Sequence, residues 1–600
     1  MKHTIRRTRR YFSSMHWLFG QSGLLLWAIV MGIAGAFSTI AFNEVVAWIQ
    51  RIHSGADGDM VAIAWEWSTW QSILIPTIGG LIGGILLFWA SKLRVDTNSD
   101  YMEAVAIGDG RLSLRQGLLR VASSLGVVST GGSLGREGPI IHLAAMIASF
   151  FGRLFLFDLN RLRLLVACGA AAGVAAAYHA PIAGALFIAE IVLGSMAMHV
   201  IGPLLLASAT SFITMHAMGF GETLYHPPAM PFLAHEYWLV IVLIGAAAGV
   251  LAPLFLRYLA FCRRVFDAIG LHMILKLCLG GFLLGCVLVY EPWVAGRGDT
   301  VIRSFFANEW TWQAVLIVFA LKLLATGISV GSGAIGGVIT PVMFVGAGLI
   351  MLCVQLASLV YPEVLQYGPL FILVAMGAFL AAASSAPLMA VMLIIEMTYN
   401  FTIVPPLIVA CVFAYFISKA MTGTVMFEVV ENRDKNDTIR RELSKLRINS
   451  LVHPVQITLT TENTVRDALN IFLEHSLRFI YIVNENKEYL GVVAHKDVTS
   501  LLLIRQELDE PISKELIQRT YVDPLKLNMS LDEVQDHFVN FNGERLPVVD
   551  LEDPPHLIGV VYKSDVLRKY SEIKRIEDQR GESIVDIRGS RPKIKRGVKK

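Results

Sequence analysis

Charge divides this chain into two stretches made for different solvents. Residues 1–425 hold 23 Lys and Arg and 19 Asp and Glu, against 28 and 29 in the 175 residues that follow. One residue in ten is charged in the first stretch and one in three in the second. The first composition belongs in lipid and the second in water. The whole chain is 54% hydrophobic and 16% charged, where a soluble protein carries about a quarter charged residues. That excludes an ordinary soluble fold, and apolar content this high excludes disorder. A net charge of +3 gives no pull toward polyanions, so no nucleic-acid partner is expected. The six cysteines (Cys168, Cys262, Cys278, Cys286, Cys353 and Cys411) all sit in apolar stretches and read as small apolar residues, too few for a disulfide framework.

The chain opens with Lys2, Arg6, Arg7, Arg9 and Arg10 and no acid among its first ten residues. The apolar run from Leu24 to Trp48 is too long for a signal peptide and long enough to span a hydrocarbon core of ~30 Å. The basic start therefore reads as cytoplasmic, and the soluble tail lies on the same side after an even number of crossings. A bacterial inner membrane suits a multi-pass chain without a cleavable signal. Further apolar runs lie near 71–90, 236–262, 271–290, 311–328, 342–360 and 403–420. The stretches 115–155, 162–216 and 331–398 are interrupted by Gly, Pro, Ser and single charges. They predict short helices that end part-way through the membrane, which is tolerated only against protein or a water-filled path.

The chain repeats itself. Ala175 to Ile182 followed by Leu186 to Glu190 matches Ala381 to Leu388 followed by Met392 to Glu396, at an offset of 206 residues. Gly135-Arg136-Glu137-Gly138-Pro139 and Gly337-Val338-Ile339-Thr340-Pro341 match at an offset of 202. Two matches at nearly one spacing predict two related halves, about 20–225 and 235–425, with a site between them. Beyond Glu428 an α/β module occurs twice, over 447–505 and 517–572. Residues 573–600 are polar and basic and read as disordered. The terminal cluster Lys593, Lys595, Arg596, Lys599 and Lys600 reads as solvated, or as a contact to lipid headgroups.

The glycine motifs carry the chemistry. Gly131 to Pro139 and Gly331 to Pro341 each place clustered glycines before an apolar helix that starts near a proline. Free N–H groups and the helix dipole make such a start an anion site. Two starts aimed at one point replace part of a small anion's hydration shell without the trap of a full positive charge, which suits conduction. Glu137 is then a gate, because its carboxylate competes with the anion and leaves when protonated or displaced. The plainer alternative is an ion pair with Arg136 or a helix cap. A carboxylate at membrane depth costs about 2.5–3.5 kcal/mol on insertion scales, which favours a functional role.

These residues resemble the CLC family of chloride channels and proton/chloride antiporters. Gly135 to Pro139 is that family's GREGP motif, Gly337 to Pro341 is similar to its later GxFxP motif, and Leu393 to Thr398 resembles the segment before its last membrane helices. The two tail modules look like a CBS domain pair. The resemblance implies an all-α polytopic membrane domain over 1–425, built of two inverted-repeat halves with many tilted and broken helices, and a cytosolic α/β CBS pair. It implies a homodimer with one pore per subunit. Glu137 falls on the gating glutamate. Ser99, Gly138, Val338, Ile339 and Phe427 fall on chloride-binding positions. Ser99 stands in Asn98-Ser99-Asp100 in place of the usual GSGIP, and Phe427 lacks the hydroxyl of the usual tyrosine.

The most informative departure is Ile191, which occupies the position of the antiporters' inner, proton-carrying glutamate, with Glu190 just before it. Isoleucine carries no proton. The expected function is passive, voltage- or pH-gated chloride conduction, with chloride/proton exchange as the runner-up. Glu190 is then a substitute proton carrier or a helix-packing acid. In the CBS pair, Asp497 and Asp565 fall where an adenosine ribose is held, but Ala494 and Tyr562 replace the usual Ser or Thr three residues earlier. An adenine nucleotide is the one cofactor to expect there, with a purely dimerising module as the alternative. No Gly-x4-Gly-Lys-Ser/Thr loop, catalytic constellation or His/Cys metal cluster occurs, so the chain reads as a transporter and not an enzyme. His142 reads as a packing residue. A CBS-regulated divalent-cation carrier is disfavoured by the few acids in the spans, and a nucleotide sensor without transport by the broken helices.

Overall fold

The computed structural model describes residues 21–93, 100–106, 108–221, 223–307, 309–421, 426–427, 443, 446–475, 477–504, 509–539, 541 and 543–586. The chain forms two units, residues 1–431 and 432–600. Ser99, the basic start and the last fourteen residues lie outside the described residues.

The first unit is helical. Among the described residues, ten helices are long and apolar enough to cross a membrane. Small residues bring some of them into backbone contact, a common means of packing spans where lipid is as apolar as the helix surface. A Cβ on Gly84 would sit 2.9 Å from Cα of Ile274, and one on Gly285 would sit 2.7 Å from Cα of Ile73. Those two glycines let Thr69–Lys92 and Met273–Tyr290 lie against each other. Leu159–Tyr178 and Gly368–Ser384 form the centre; every residue of the latter is buried.

Both central helices end abruptly, and in the same way. His179 and Ser385 adopt the left-handed region at φ 56° and 57°, although neither is glycine. Pro181 and Pro387 then open the short helices Pro181–Leu186 and Pro387–Thr398, since proline fits a first helical turn where its missing N–H is not needed. The first short helix continues as a π-helical turn, Phe187–Leu193. Glu137–Leu154 and Ile339–Ser358 likewise begin at the glycine motifs. The interruptions predicted from Gly and Pro are therefore real helix breaks.

The second unit holds two three-stranded sheets of one design. Thr458–Leu459 pairs parallel with Phe479–Val483, which pairs antiparallel with Tyr489–Ala494. Leu525–Lys526, Arg545–Val549 and Leu557–Tyr562 repeat the order, and Phe479↔Ala494 corresponds to Arg545↔Tyr562. Helices Val465–Glu474 and His495–Ile504 complete the first module, and Leu531–Val539 and Lys563–Asp586 the second. The last helix corrects the expectation of disorder from residue 573, because it runs on to Asp586. Its sequence is rich in Lys, Arg, Glu and Asp, which are solvated but also sustain a helix through pairs such as Lys569–Glu572 at 2.9 Å.

Candidate functional site

The two glycine motifs meet. Gly135 N–H donates to the Gly337 carbonyl at 2.8 Å, and Gly337 N–H donates to the Gly135 carbonyl at 2.8 Å. Each half supplies the same backbone groups to the other, the mark of a local two-fold relation. The helices Glu137–Leu154 and Ile339–Ser358 start at this crossing, and neither start carries a side-chain cap. Val338 is the N-cap residue of the second. First-turn N–H groups are left for a guest, as an anion site requires.

Glu137 fills the crossing. Its residue is 1% exposed. Oε1 accepts a hydrogen bond from the Thr340 hydroxyl, and Oε2 is buried with no hydrogen-bond partner. A Cβ on Gly135 or Gly337 would collide with that second oxygen. The buried Tyr178 hydroxyl lies beside both Glu137 and Thr340. A carboxylate this enclosed, with one oxygen unsatisfied, is held at a cost.

A cavity opens on each side of it. The first, about 220 Å3, is lined by Gly138, Ile339, Phe187 and Phe427 together with Asp100, Arg120 and His142. Phe427 stands edge-on to Phe187, ring centres 5.7 Å apart. The second, about 290 Å3, is lined by Leu134 and Arg136 from the same motif and by Asp59, Arg297, Asp299 and Arg303. Within one motif, residues 134 and 136 face one cavity and residue 138 the other. Glu137 lies between.

Sequence reasoning singled out none of the polar groups around the second cavity apart from Arg136. Arg297 grips Asp299 through two parallel bonds of 2.8 and 2.9 Å, and Arg303 reaches the same carboxylate at 3.5 Å. Asp299 lies between the spans Met273–Tyr290 and Trp312–Gly331. Burial raises its carboxyl, and the Arg297 guanidinium overrides burial and holds it below the usual carboxylate range. Lys322, buried in Trp312–Gly331, donates to the carbonyls of Val294 at 2.8 Å and Gly296 at 2.6 Å. A lone charge inside a span was the available signal for Lys322. No motif marked Arg297 or Asp299. His142 packs its Nε2 against Gly117 but also faces the first cavity, which the packing role left out.

Glu190 and Ile191 sit in the π-helical turn. Ile191 is 1% exposed. The Glu190 carboxylate accepts the backbone N–H of Leu388 at 3.3 Å and of Met389 at 2.8 Å. In the second unit, Asp497 lies in the first turn of His495–Ile504. Asp565 is engaged by His453 at 2.9 Å and Arg568 at 2.5 Å. A cavity of about 340 Å3 is lined by Arg478, Phe479, His495, Lys496 and Tyr521, and the Lys496 ammonium lies 4.1 Å from the centre of the Tyr521 ring. Asp497 is not among its lining residues. The hairpin loop brings ligand atoms of Asp550, Glu552 and His556 within 4.8 Å of one another, a grouping the sequence did not suggest. Hydrogen bonds from His556 to Asp550 at 2.8 and 2.9 Å account for the loop's shape.

Comparison with known proteins agrees with this geometry. Residues 79–419 match the voltage gated chloride channel family, and residues 449–504 and 514–572 each match the CBS domain. A Ralstonia nicotianae chloride channel protein named as ClcB-like is 40% identical over 423 residues, covering 70% of this chain and 98% of that one. The voltage-gated ClC-type chloride channel ClcB of Yersinia pestis is 39% identical over 401 residues, 66% of this chain and 96% of that one. The crystal structure of a slow cyanobacterial Cl−/H+ antiporter superposes with a TM-score of 0.59 at 24% identity, over 68% of this chain and 97% of the other. The chain is thus a multi-pass membrane protein that belongs to the CLC family of chloride channels and transporters, with a CBS domain pair following its membrane unit.

Proposed function

We propose that the protein conducts chloride passively between the two cavities, with Glu137 as the gate. The observation that carries this reading is the Glu137 carboxylate, buried at the Gly135–Gly337 crossing with a cavity on either side. Chloride takes the place of the carboxylate against the free N–H groups at the two helix starts. Gly138, Val338 and Ile339 serve it through backbone amides, Phe427 through ring edge and shape, and Ser99 through its hydroxyl. The guanidinium groups of Arg120, Arg136 and Arg297 favour an anion over a cation.

Passive conduction is favoured over exchange by two residues. Ile191 supplies no titratable group, and the Glu190 carboxylate is occupied by two backbone N–H donors. Exchange remains the second reading, supported by likeness of fold to a Cl−/H+ antiporter. The protein works as a homodimer in a bacterial inner membrane with both termini cytoplasmic, and the CBS pair modulates it. Reconstituted vesicles loaded with chloride decide the mode. Chloride efflux with valinomycin and no accompanying proton movement is expected. Proton uptake coupled to efflux establishes exchange instead, and no chloride efflux at all removes both readings.

A further inference from the structure

The cavity on the Phe427 side of Glu137 has a carboxylate in its wall, and this one is tied in place. Asp100 lines the space together with Arg120, His142, Gly138 and Ile339. Aspartate is a favoured N-cap residue, because its short arm returns the carboxylate to the first N–H groups of its own helix. The Asp100 carbonyl accepts the Ala104 N–H at 3.0 Å and Oδ1 accepts the Met102 N–H at 3.3 Å, opening the short helix Tyr101–Ala106. The next residue, Tyr101, is buried, with its ring edge-on to His142 at 6.3 Å between centres. An anchored backbone and a single methylene therefore keep the Asp100 carboxylate at the wall. Burial raises its carboxyl, and the Met102 N–H and the Arg120 guanidinium oppose that rise by favouring the charged form.

We infer that Asp100 is a fixed competitor with chloride for the Arg120 guanidinium, and that it sets how tightly the protein holds the anion in this cavity. The inference rests on the reading of chloride conduction through the two cavities. Among the described residues lining the space, Arg120 is the one guanidinium and Asp100 the one carboxylate. An anion that enters is drawn by Arg120 and repelled by Asp100, within about 220 Å3 of enclosed space where charges are poorly screened. A guanidinium alone would hold chloride too long, and conduction needs binding weak enough to allow exit. The carboxylate weakens that hold without leaving the wall, because its cap on Tyr101–Ala106 keeps it there. Asp100 therefore tunes affinity and release at all times, whereas Glu137 opens and closes the route. It is also where the chain departs from the GSGIP pattern, whose glycine carries no charge.

The test is chloride binding and chloride efflux with the full-length protein at neutral pH. D100N and D100S each keep an N-cap acceptor for Met102 and remove the charge, which separates the charge of the carboxylate from its structural duty. Titration calorimetry on purified D100N is expected to give chloride binding about tenfold tighter than wild type, the scale of one unit charge acting across a cavity of this size. In reconstituted vesicles D100N is expected to reach half-maximal efflux at a correspondingly lower chloride concentration and to show a lower maximal rate, because a tighter site releases more slowly. D100S should behave alike. D100N/R120Q should lose the gain, because the guanidinium for which Asp100 competes is gone. Chloride binding and half-saturation unchanged from wild type in D100N and D100S overturn the inference, as does a gain that persists in D100N/R120Q. If wild-type vesicles conduct chloride in either case, only the inference falls; absence of efflux from wild-type vesicles removes the conduction reading itself.

Discussion

Glu190 and Glu396 cap each other's partner helices across the two halves. Glu190 accepts the N–H groups of Leu388 and Met389, and Glu396 accepts those of Ile182 and Ala183 at 2.8 Å each. All three pairs of positions (190 and 396, 182 and 388, 183 and 389) are 206 residues apart. Each short helix begins with a proline and lacks a local side-chain cap. The acid that satisfies it comes from the end of the equivalent helix in the other half. Two helix starts and two carboxylates in an apolar unit thereby satisfy one another. This gives Glu190 a structural duty that explains its presence beside Ile191 without a proton.

E190Q is therefore expected to weaken the fold and leave proton movement unchanged. The amide offers one acceptor oxygen where the carboxylate offered two, and its NH2 faces a backbone donor. The loss is about 1–3 kcal/mol, and E396Q loses a similar amount. Thermal melting of the detergent-solubilised protein reads the first effect, and the pH dependence of the reversal potential reads the second. A wild-type pH response that disappears in E190Q makes Glu190 a proton carrier and sinks the capping account.

The site was legible where the chemistry is local and repeated. Gly135 to Pro139 and Gly337 to Pro341 announce two helix starts, and the near-constant offset announces that they meet. The breaks at His179 and Ser385 follow from the prolines two residues on. What could not be read depends on contacts made at a distance. Nothing near Arg297 or Asp299 in the sequence marks a cavity wall, because each is an ordinary loop charge until the fold turns it toward Arg136. The partner of Glu190 lies almost two hundred residues away. The helix through residues 573–586 was missed for the opposite reason: its composition is that of solvated chain, and helix and disorder share it.

Gly135 and Gly138 make different demands on the same motif. A Cβ on Gly135 would occupy the space of the Glu137 carboxylate, whereas one on Gly138 meets the Gly337 nitrogen at 3.3 Å, a distance that a shift of a few tenths of an ångström relieves. G135A is expected to expel the carboxylate and raise chloride flux toward that of E137A. G138A is expected to narrow the cavity and lower flux modestly. Vesicle efflux rates for G135A, G138A and E137A give the comparison. A G135A variant that folds and conducts like wild type would mean that the carboxylate has room elsewhere and is no plug.

Thr340 is the donor that holds Glu137 in place. T340V keeps the shape and removes the hydroxyl, so Oε1 joins Oε2 as a buried acceptor without a partner. A hydrogen bond to a charged group contributes about 1.5–3 kcal/mol, and 1.4 kcal/mol is tenfold in a population. The open fraction is expected to rise about tenfold or more, visible as greater chloride flux from vesicles. T340S restores the hydroxyl and should restore wild-type behaviour. Identical flux in T340V and wild type would show that the hydroxyl does not restrain the gate.

The two CBS modules differ in what already occupies them. Asp565 is taken by His453 and Arg568, and the tyrosine at position 562 stacks edge-on against His453, ring centres 5.4 Å apart. The first module instead lends Arg478, Phe479 and Lys496 to an open cavity that Tyr521 of the second module completes. Basic groups beside aromatic faces suit a phosphate joined to a flat base. ATP is accordingly expected to bind the full-length protein with one site per chain, raising the melting temperature of the soluble unit. R478A and K496A should each weaken that binding, K496A also loosening Tyr521, whereas D565N should leave it unchanged. Loss of binding in D565N with retention in R478A and K496A would move the nucleotide to the second module, and no thermal shift with ATP in any variant would reduce the pair to a structural element.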